Sequence, residues 1–120
     1  MPSYICEKCG YIDNSACGGN YWIAKMNQYR KREGREIDKY FDDEDANIKL
    51  LCFNCTPKVY HDGSIKSDNG VHLDTRRHWS DIGKEQILAS AEASMGNFTN
   101  AKEFFSNLKE TDPAFKKQDS

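Results

Sequence analysis

Two Cys-x-x-Cys pairs constrain the fold of this chain more than any other feature of its sequence. They are formed by Cys6 with Cys9 and by Cys52 with Cys55, and 42 residues, 10–51, lie between them. A turn with two intervening residues aims both thiolates at one point, and two such turns provide a tetrahedron of four sulfur atoms. In a cytoplasmic chain such pairs are typical of metal ligands rather than disulfides. The sequence therefore predicts one metal site with these four cysteines as ligands.

A bound metal would also stabilise a chain whose polar composition allows only a small hydrophobic core. The chain has 120 residues, of which 38% are hydrophobic, and a mean hydropathy of -0.85. We therefore expect one domain with a modest core, in which a structural Zn²⁺ contributes directly to the free energy of folding. Iron is the alternative ion, and four partly buried thiols without metal are the plainer interpretation. Cys17 has no partner at ligand spacing, and we interpret it as a half-buried thiol.

Charge and hydropathy exclude some classes of protein. The formal net charge is -2, which argues against a generally basic nucleic-acid binder but leaves room for a local patch. No apolar run approaches the roughly 18 residues that a membrane span needs. Residues 1–6 show no basic segment followed by an apolar stretch, as a secretory signal would. We expect a cytoplasmic protein.

The first half of the chain reads as short antiparallel strands around the two cysteine turns. Gly10 follows the second ligand, where a cysteine knuckle favours a positive φ. Asn47 to Phe53 leads into the second knuckle, and Asp42 to Asp45 forms an acidic tip. The remaining predicted elements are a strand around the first knuckle at 4–12, a second strand at 21–24, an exposed hairpin or loop at 28–36, and a returning strand at 37–41.

The last third of the chain has a helical pattern. Ile87, Leu88, Ala91 and Met95 recur on one side at helical spacing, and Asn100 followed by Glu103 matches a capping box. These signals predict a pair of helices that packs on the first half or forms a homodimer. The predicted organisation is α+β: a zinc ribbon at 1–60, a polar connector at 61–80, a helical extension at 81–112 and a flexible tail at 113–120.

The first knuckle resembles the N-terminal half of rubredoxins. Residues 4–12 read YICEKCGYI and are followed by Asp13 and Asn14. The resemblance implies a rubredoxin-like fold and one iron in four thiolates that carries single electrons. The second knuckle departs from that family, with Phe53 and Thr56 where rubredoxins have Pro and Gly. Electron transfer is therefore the alternative function rather than the first.

Two further resemblances concern origin and activity. The chain is similar to small phage and bacterial proteins with a Cys-x-x-Cys-Gly knuckle, an Asn-Ser/Thr-Ala turn at 14–16 and a Tyr-Trp strand at 21–22, which implies a fold and a phage-encoded origin. Residues 47–55, NIKLLCFNC, with Lys58 and His61, resemble the zinc-bearing half of HNH endonucleases. Those nucleases need a His base on the preceding strand, but no His precedes His61 here, and Thr56 replaces the expected His.

Histidines remain the candidates for any catalytic role. The chain has His61, His72 and His78, and a degenerate HNH-like, metal-dependent nuclease that uses one of them is the third hypothesis. Exposed loop histidines are the plainer interpretation. Since four thiolates fill a tetrahedral shell, no position remains for a catalytic water. The sequence therefore predicts a protein that is not an enzyme.

Charge is segregated in the middle of the first half. Residues 25–35 carry +4 and residues 36–45 carry -5. Aromatic side chains among the cations could stack on bases, whereas the acidic tip could neutralise the basic segment or imitate nucleic acid for a host protein. A solvated surface is the plainer interpretation. The predicted function is a non-catalytic interaction module, monomeric or dimeric, for a host protein or nucleic acid. The predicted partner-binding residues are Tyr21, Trp22, Lys25, Tyr29, Arg30, Lys31, Arg32 and Arg35.

Overall fold

A computed structural model describes residues 3–14, 19–66, 77–93 and 98–116. In these ranges the fold is a small α+β arrangement, as the sequence predicts at this coarse level. The strands pair antiparallel, with Ser3 opposite Asn14 and Ile5 opposite Ile12. Each helix of the described part is too short or too polar to cross a bilayer. The elements are β1 (Ser3–Ile5), β2 (Ile12–Asn14), α1 (Tyr21–Arg32), α2 (Glu44–Ile48), α3 (Trp79–Ile82), α4 (Lys84–Ala93), α5 (Ala101–Asn107) and a 3₁₀ helix (Pro113–Phe115).

The largest departure from the sequence prediction is helix α1. The strand predicted at 21–24 and the hairpin or loop predicted at 28–36 are wrong, because residues 21–32 form one helix. Gly34, with φ +74°, follows the end of that helix instead of turning a hairpin. Strong helix formers predominate from Ala24 onward, and Tyr21 and Ala24 face the core one turn apart. Its last turn is basic, which the helix dipole favours.

The segment after α1 differs from the prediction as well. Residues 37–41 form no strand, and the expected acidic tip is the start of α2 (Glu44–Ile48). Asp43 is the N-cap, and its carboxylate accepts a hydrogen bond from the Asp45 N–H at 3.0 Å. Acidic side chains in a first helical turn complement the unpaired N–H groups there. The predicted ribbon of short strands is therefore reduced to the β1–β2 pair among the described residues.

Buried asparagine side chains hold the irregular segment in place of a strand ladder. The Asn27 amide donates to the carbonyl oxygens of Asp38 and Asn47 at 2.9 and 2.8 Å. The side-chain oxygen of Asn47, Oδ1, accepts from the N–H groups of Tyr40 and Phe41 at 2.9 and 2.8 Å. Buried backbone groups must find partners, and here the side chains of α1 and α2 provide them. The segment is thereby ordered without regular secondary structure.

The C-terminal helices build the larger apolar core. Ile87 of α4 and Phe104 and Phe105 of α5 pack with Ile5 of β1. α5 ends at Asn107, earlier than the predicted boundary at 112, and the predicted flexible tail begins with a 3₁₀ helix in which Ala114 is buried. The predicted residue Met95 lies outside the described residues.

The predicted capping box at α5 is wrong. Asn100 occupies the N-cap position, but its side chain makes no capping hydrogen bond. Its amide instead pairs with the backbone of Ile5, donating to the carbonyl oxygen at 2.7 Å and accepting from the N–H at 2.9 Å. The side chain thus serves tertiary docking of α5 on β1, where both backbone groups would otherwise be buried without a partner.

A short backbone contact joins the first knuckle to the C-terminal half. The N–H of Ile12 donates to the Arg77 carbonyl at 2.8 Å, and the N–H of Trp79 donates to the Gly10 carbonyl at 3.0 Å. Gly10 has φ +77°, and a Cβ built there would lie 2.6 Å from the Ala114 carbonyl oxygen and 2.7 Å from Nε2 of His78. The absence of a side chain at Gly10 permits this approach.

Gly10→Ala is expected to destabilise the metal-loaded protein by about 3 kcal/mol, since it adds backbone strain to a steric clash. Urea unfolding measures the change. Gly34→Ala is the matched control, because Gly34 has nearly the same φ and open space around its Cβ position. A similar loss in both variants would contradict the role of the contact with Ala114 and His78.

Candidate metal centre

The two Cys-x-x-Cys pairs come together in the structure. The Sγ atoms of Cys6, Cys9, Cys52 and Cys55 all lie within 4.8 Å of one another, and those of Cys9 and Cys52 are 3.6 Å apart. None of the four forms a disulfide, three are buried, and Cys55 is half-buried. Sulfur atoms around a tetrahedral ion with bonds near 2.3 Å are about 3.8 Å apart. The cluster is therefore compatible with a zinc-ribbon-like metal site.

Each pair of cysteines sits in a tight turn. In the first turn the Cys6 carbonyl accepts from the N–H of Gly10 at 2.9 Å, and the Cys9 N–H points to Sγ of Cys6 at 3.5 Å. In the second, the Cys52 carbonyl accepts from the N–H and the hydroxyl of Thr56, both at 2.9 Å. The Thr56 hydroxyl gives the second turn a closing hydrogen bond that the first, with Gly10, does not have.

Polar groups in the first turn and in the two strands beside it hold the second turn in place. The Glu7 N–H donates to the Leu50 carbonyl at 2.8 Å, and the Leu50 N–H donates back to the Glu7 carboxylate at 2.6 Å. The Asp13 carboxylate accepts from the Phe53 N–H at 2.9 Å. The Tyr4 hydroxyl donates to the Leu51 carbonyl at 2.8 Å. These ties align the two turns through protein contacts alone.

The four thiols change one another's pKa values. Hydrogen bonds from the other thiols, that of Cys55 first, lower the pKa of the Cys52 thiol. The hydrogen bond to Cys52 and burial raise the pKa of the Cys6, Cys9 and Cys55 thiols. One thiolate is therefore stabilised at the expense of the other three, and a positive ion at the centre would hold all four ionised. Burial also raises the pKa of the neighbouring Glu7 carboxyl, although its bond from Leu50 opposes this.

The structure separates the histidines. His78 is fully buried; its Nε2 donates to the Ala114 carbonyl at 2.9 Å, and its Nδ1 accepts from the Ser80 N–H at 3.2 Å. His78 is thus the N-cap of α3 and a docking residue. His61 is exposed at the side of a groove, and His72 and Cys17 lie outside the described residues. Within the described ranges, the four cysteines are the group of His, Cys, Asp and Glu that could hold an ion.

The predicted partner-binding residues lie on and just after α1, on a helix instead of a loop. Tyr21 is buried, with its ring centroid 5.4 Å from that of Tyr4, so it does not face solvent. Arg30 pairs with the Asp38 carboxylate at 3.0 Å, which neutralises it. Trp22 and Tyr29 are exposed. The remaining cations are half-buried at Lys25 and exposed at Lys31, Arg32 and Arg35.

Several residues of this region were not predicted from the sequence. Met26 is exposed on α1 between Trp22 and Tyr29 and extends their surface. Glu7 and Asp13 join the two knuckles through backbone hydrogen bonds. A helical reading of residues 21–32 would have identified Met26, because positions 22, 26 and 29 share one helix face. Nothing in the spacing of Glu7 and Asp13 signals their contacts.

No protein-family model, curated protein or solved structure matches the chain. The functional proposal therefore rests on the geometry of the four cysteines and on the surface around them.

Proposed function

We propose that this protein is a non-catalytic binding module that holds one structural Zn²⁺ through Cys6, Cys9, Cys52 and Cys55. The observation that carries the proposal is the convergence of four sulfur atoms within 4.8 Å, from two turns far apart in the sequence. Four thiolates in a tetrahedron suit Zn²⁺ or iron, and closed Cys₄ sites are typical of structural zinc.

The four donors leave no coordination position for a reactant. Catalytic zinc sites keep one position for water or substrate, whereas here the protein supplies four ligands. Cys6, Cys9 and Cys52 are buried, which further limits access to the ion. The nuclease hypothesis gains no support from His78, because its two ring nitrogens are engaged in docking and capping. The proposed role of the site is therefore to fix the fold.

The position of the site explains why a metal would matter. The cysteines form one apolar cluster with Phe41, Ala46 and Leu51, apart from the larger core around α4 and α5. Among the described residues, three fully buried side chains besides the cysteines make a small core for two turns and the segment between them, even with the partly buried rings packed around it. A metal–thiolate centre would supply the missing free energy and keep α1 and the adjoining segment 37–66 in place.

Purified protein is expected to be colourless and to contain one zinc per chain by elemental analysis. Replacement of the zinc by Co²⁺ should give the intense visible absorption of tetrahedral cobalt with thiolate ligands. Azide added to the Co²⁺ protein should leave that absorption unchanged, because no coordination position is open. A shift of the cobalt bands on addition of azide would contradict the closed, non-catalytic site.

Elemental analysis of the purified protein also tests the alternative function, an iron electron carrier. Cys55 is half-buried, unlike the other three ligands, and would give an electron a short path to the surface. Iron in four thiolates carries single electrons at a potential set by hydrogen bonds to sulfur and by solvent exposure. Red protein with one iron per chain and a reversible one-electron couple would replace the zinc proposal with this function.

A further inference from the structure

Helix α1 presents two parallel rows of side chains. Trp22 and Tyr29 are seven residues apart, with Met26 between them, and we call these three the aromatic row. Lys25 and Arg32 are also seven residues apart, and we call them the cation row. Seven residues span about 10.5 Å along a helix and return to nearly the same angle. The two rows therefore run side by side along α1, each about two turns long.

The aromatic row lies open to solvent. Trp22 is 68% exposed and Tyr29 is 51% exposed, which is unusual for rings of this size. The Trp22 ring stands at 90° to the buried Tyr21 ring, with centroids 5.0 Å apart, so it packs against a side chain of the core. A positioned, exposed ring can stack with a flat partner at little conformational cost.

The cation row lies in the most basic part of the chain. Residues 25–35 carry +4, and since the whole chain carries -2, the remaining residues carry -6. Arg30 is neutralised by Asp38, whereas Lys25 and Arg32 have no ion-pair partner among the described residues. Exposed Lys31 and Arg35 extend the positive surface beyond the end of the row. This side of the molecule is therefore suited to a polyanion.

A groove lies on the other side of the aromatic row. Its volume is about 720 Å³, and Trp22, Met26, Tyr40, Tyr60 and His61 are among its lining residues. Across the helix, the order is thus cations, exposed aromatic rings, then a groove with aromatic walls. The groove also carries the Asp38 and Asp62 carboxylates, which can accept hydrogen bonds from base amino groups, and the cations Arg30 and Lys39. That order matches the cross-section of a single nucleic-acid strand, which has phosphates on one side and bases on the other.

We propose that α1 binds single-stranded nucleic acid. The phosphates lie along the cation row, the bases stack on Trp22 and Tyr29, and the base edges reach toward the groove. Stacking on aromatic side chains beside a positive track is the usual physical basis of binding without sequence preference. The inference rests on the proposed function, because the metal-supported segment 37–66 forms the far wall of the groove.

Other occupants fit the surface less well. A second copy would bring two segments of +4 together, which costs free energy. A protein partner would suit Trp22, Met26 and Tyr29, since such side chains are enriched in protein interfaces, but it would also need an acidic track of matching length beside them to neutralise the +4 segment. A double helix keeps its bases stacked inside and offers none to Trp22. A single strand satisfies both rows at once.

The test uses the full zinc-loaded chain and a fluorescein-labelled oligothymidine of about 12 nucleotides, within the range that small single-strand binding folds cover. Fluorescence anisotropy should show binding that weakens with salt. Trp22→Ala should weaken binding about ten-fold or more. Arg32→Ala should reduce the slope of log K against log salt by about 0.7. Lys109→Ala is the matched control and should change neither quantity, because Lys109 is an exposed cation just after α5 with no ion-pair partner among the described residues.

Tryptophan emission gives an independent readout. The chain has two tryptophans, and Trp79 is packed against Phe105 in the C-terminal core. Oligothymidine should quench the emission of the unaltered protein. Trp22→Phe should abolish the quenching, because Trp79 alone remains. Quenching that survives Trp22→Phe would overturn the stacking role.

Three other results would overturn the inference. They are no binding by folded protein that contains one zinc, equal binding of polyglutamate without dependence on Trp22, and a dimer that occupies α1 and excludes the oligonucleotide. Zinc content measured on the same sample separates this failure from failure of the proposed function. Protein that holds zinc but ignores the oligonucleotide retains the metal-supported module, whereas protein that binds no metal contradicts the module itself.

Discussion

Cys52→Ser is expected to release the metal and unfold the protein at room temperature. Cys52 is fully buried at the centre of the cluster, with its sulfur 3.6 Å from that of Cys9. Structural zinc contributes about 10–16 kcal/mol of apparent free energy in small peptides, whereas the net stability of a domain is about 5–15 kcal/mol. Loss of the ion therefore exceeds what the remaining contacts can offset.

Without the metal, hydrogen bonds would still join the two turns, and their contribution to stability can be compared with that of the ion. Four such bonds involve Glu7, Asp13 and Tyr4, and each contributes about 1 kcal/mol net. Their sum, about 4 kcal/mol, is smaller than the metal contribution. The ties can therefore orient the turns without holding them together once the ion is gone.

Far-UV circular dichroism and zinc content measure the Cys52→Ser variant. A strong chelator should produce the same unfolding in the unaltered protein, and added zinc should reverse it. Cys17→Ser is the matched control, since Cys17 has no partner at ligand spacing, and it should retain one zinc and full stability. A folded Cys52→Ser protein, or an unaltered protein that ignores the chelator, would contradict a structural metal.

The sequence predicted the cysteine cluster because its signal is chemical and local. Two residues between paired cysteines constrain each turn, whatever the 42 residues between the pairs do. In the structure the four sulfur atoms lie together. The identity of the ion stays a prediction, because zinc and iron accept the same donors. The phage origin, the host partner and the cytoplasmic location also stay predictions.

Helix α1 was not predicted from the sequence, because two local signals within it favour different structures. Tyr21 and Trp22 favour a strand, whereas the residues from Lys25 to Arg32 favour a helix. Tertiary contacts favour the helix: it places Asn27 in the core, where its amide donates to the backbone oxygens of Asp38 and Asn47. Asparagine usually indicates turns in a sequence, and nothing local shows that these will be buried.

Asn20→Ala is expected to cost about 3–5 kcal/mol, a large effect for a substitution outside the metal ligands. The Asn20 side chain is buried just before α1, where it donates to the carbonyl oxygens of Ala46 and Lys49 at 2.6 and 2.7 Å. Its own oxygen accepts from the Leu51 N–H at 2.7 Å. Alanine would leave three backbone groups without this partner, and each buried loss costs about 1–3 kcal/mol, reduced where water can enter.

Loss of the hydrogen bond to Leu51 should also weaken metal binding, because Leu51 directly precedes the ligand Cys52. We expect weaker retention of zinc against a competing chelator together with a lower urea midpoint at an unchanged m-value. Asn54→Ala is the matched control: Asn54 is exposed between Cys52 and Cys55, so its loss should stay within about 0.5 kcal/mol. A loss at Asn20 as small as that at Asn54 would contradict this role. It would mean that water replaces the Asn20 amide and that the cysteines alone fix the backbone at Leu51.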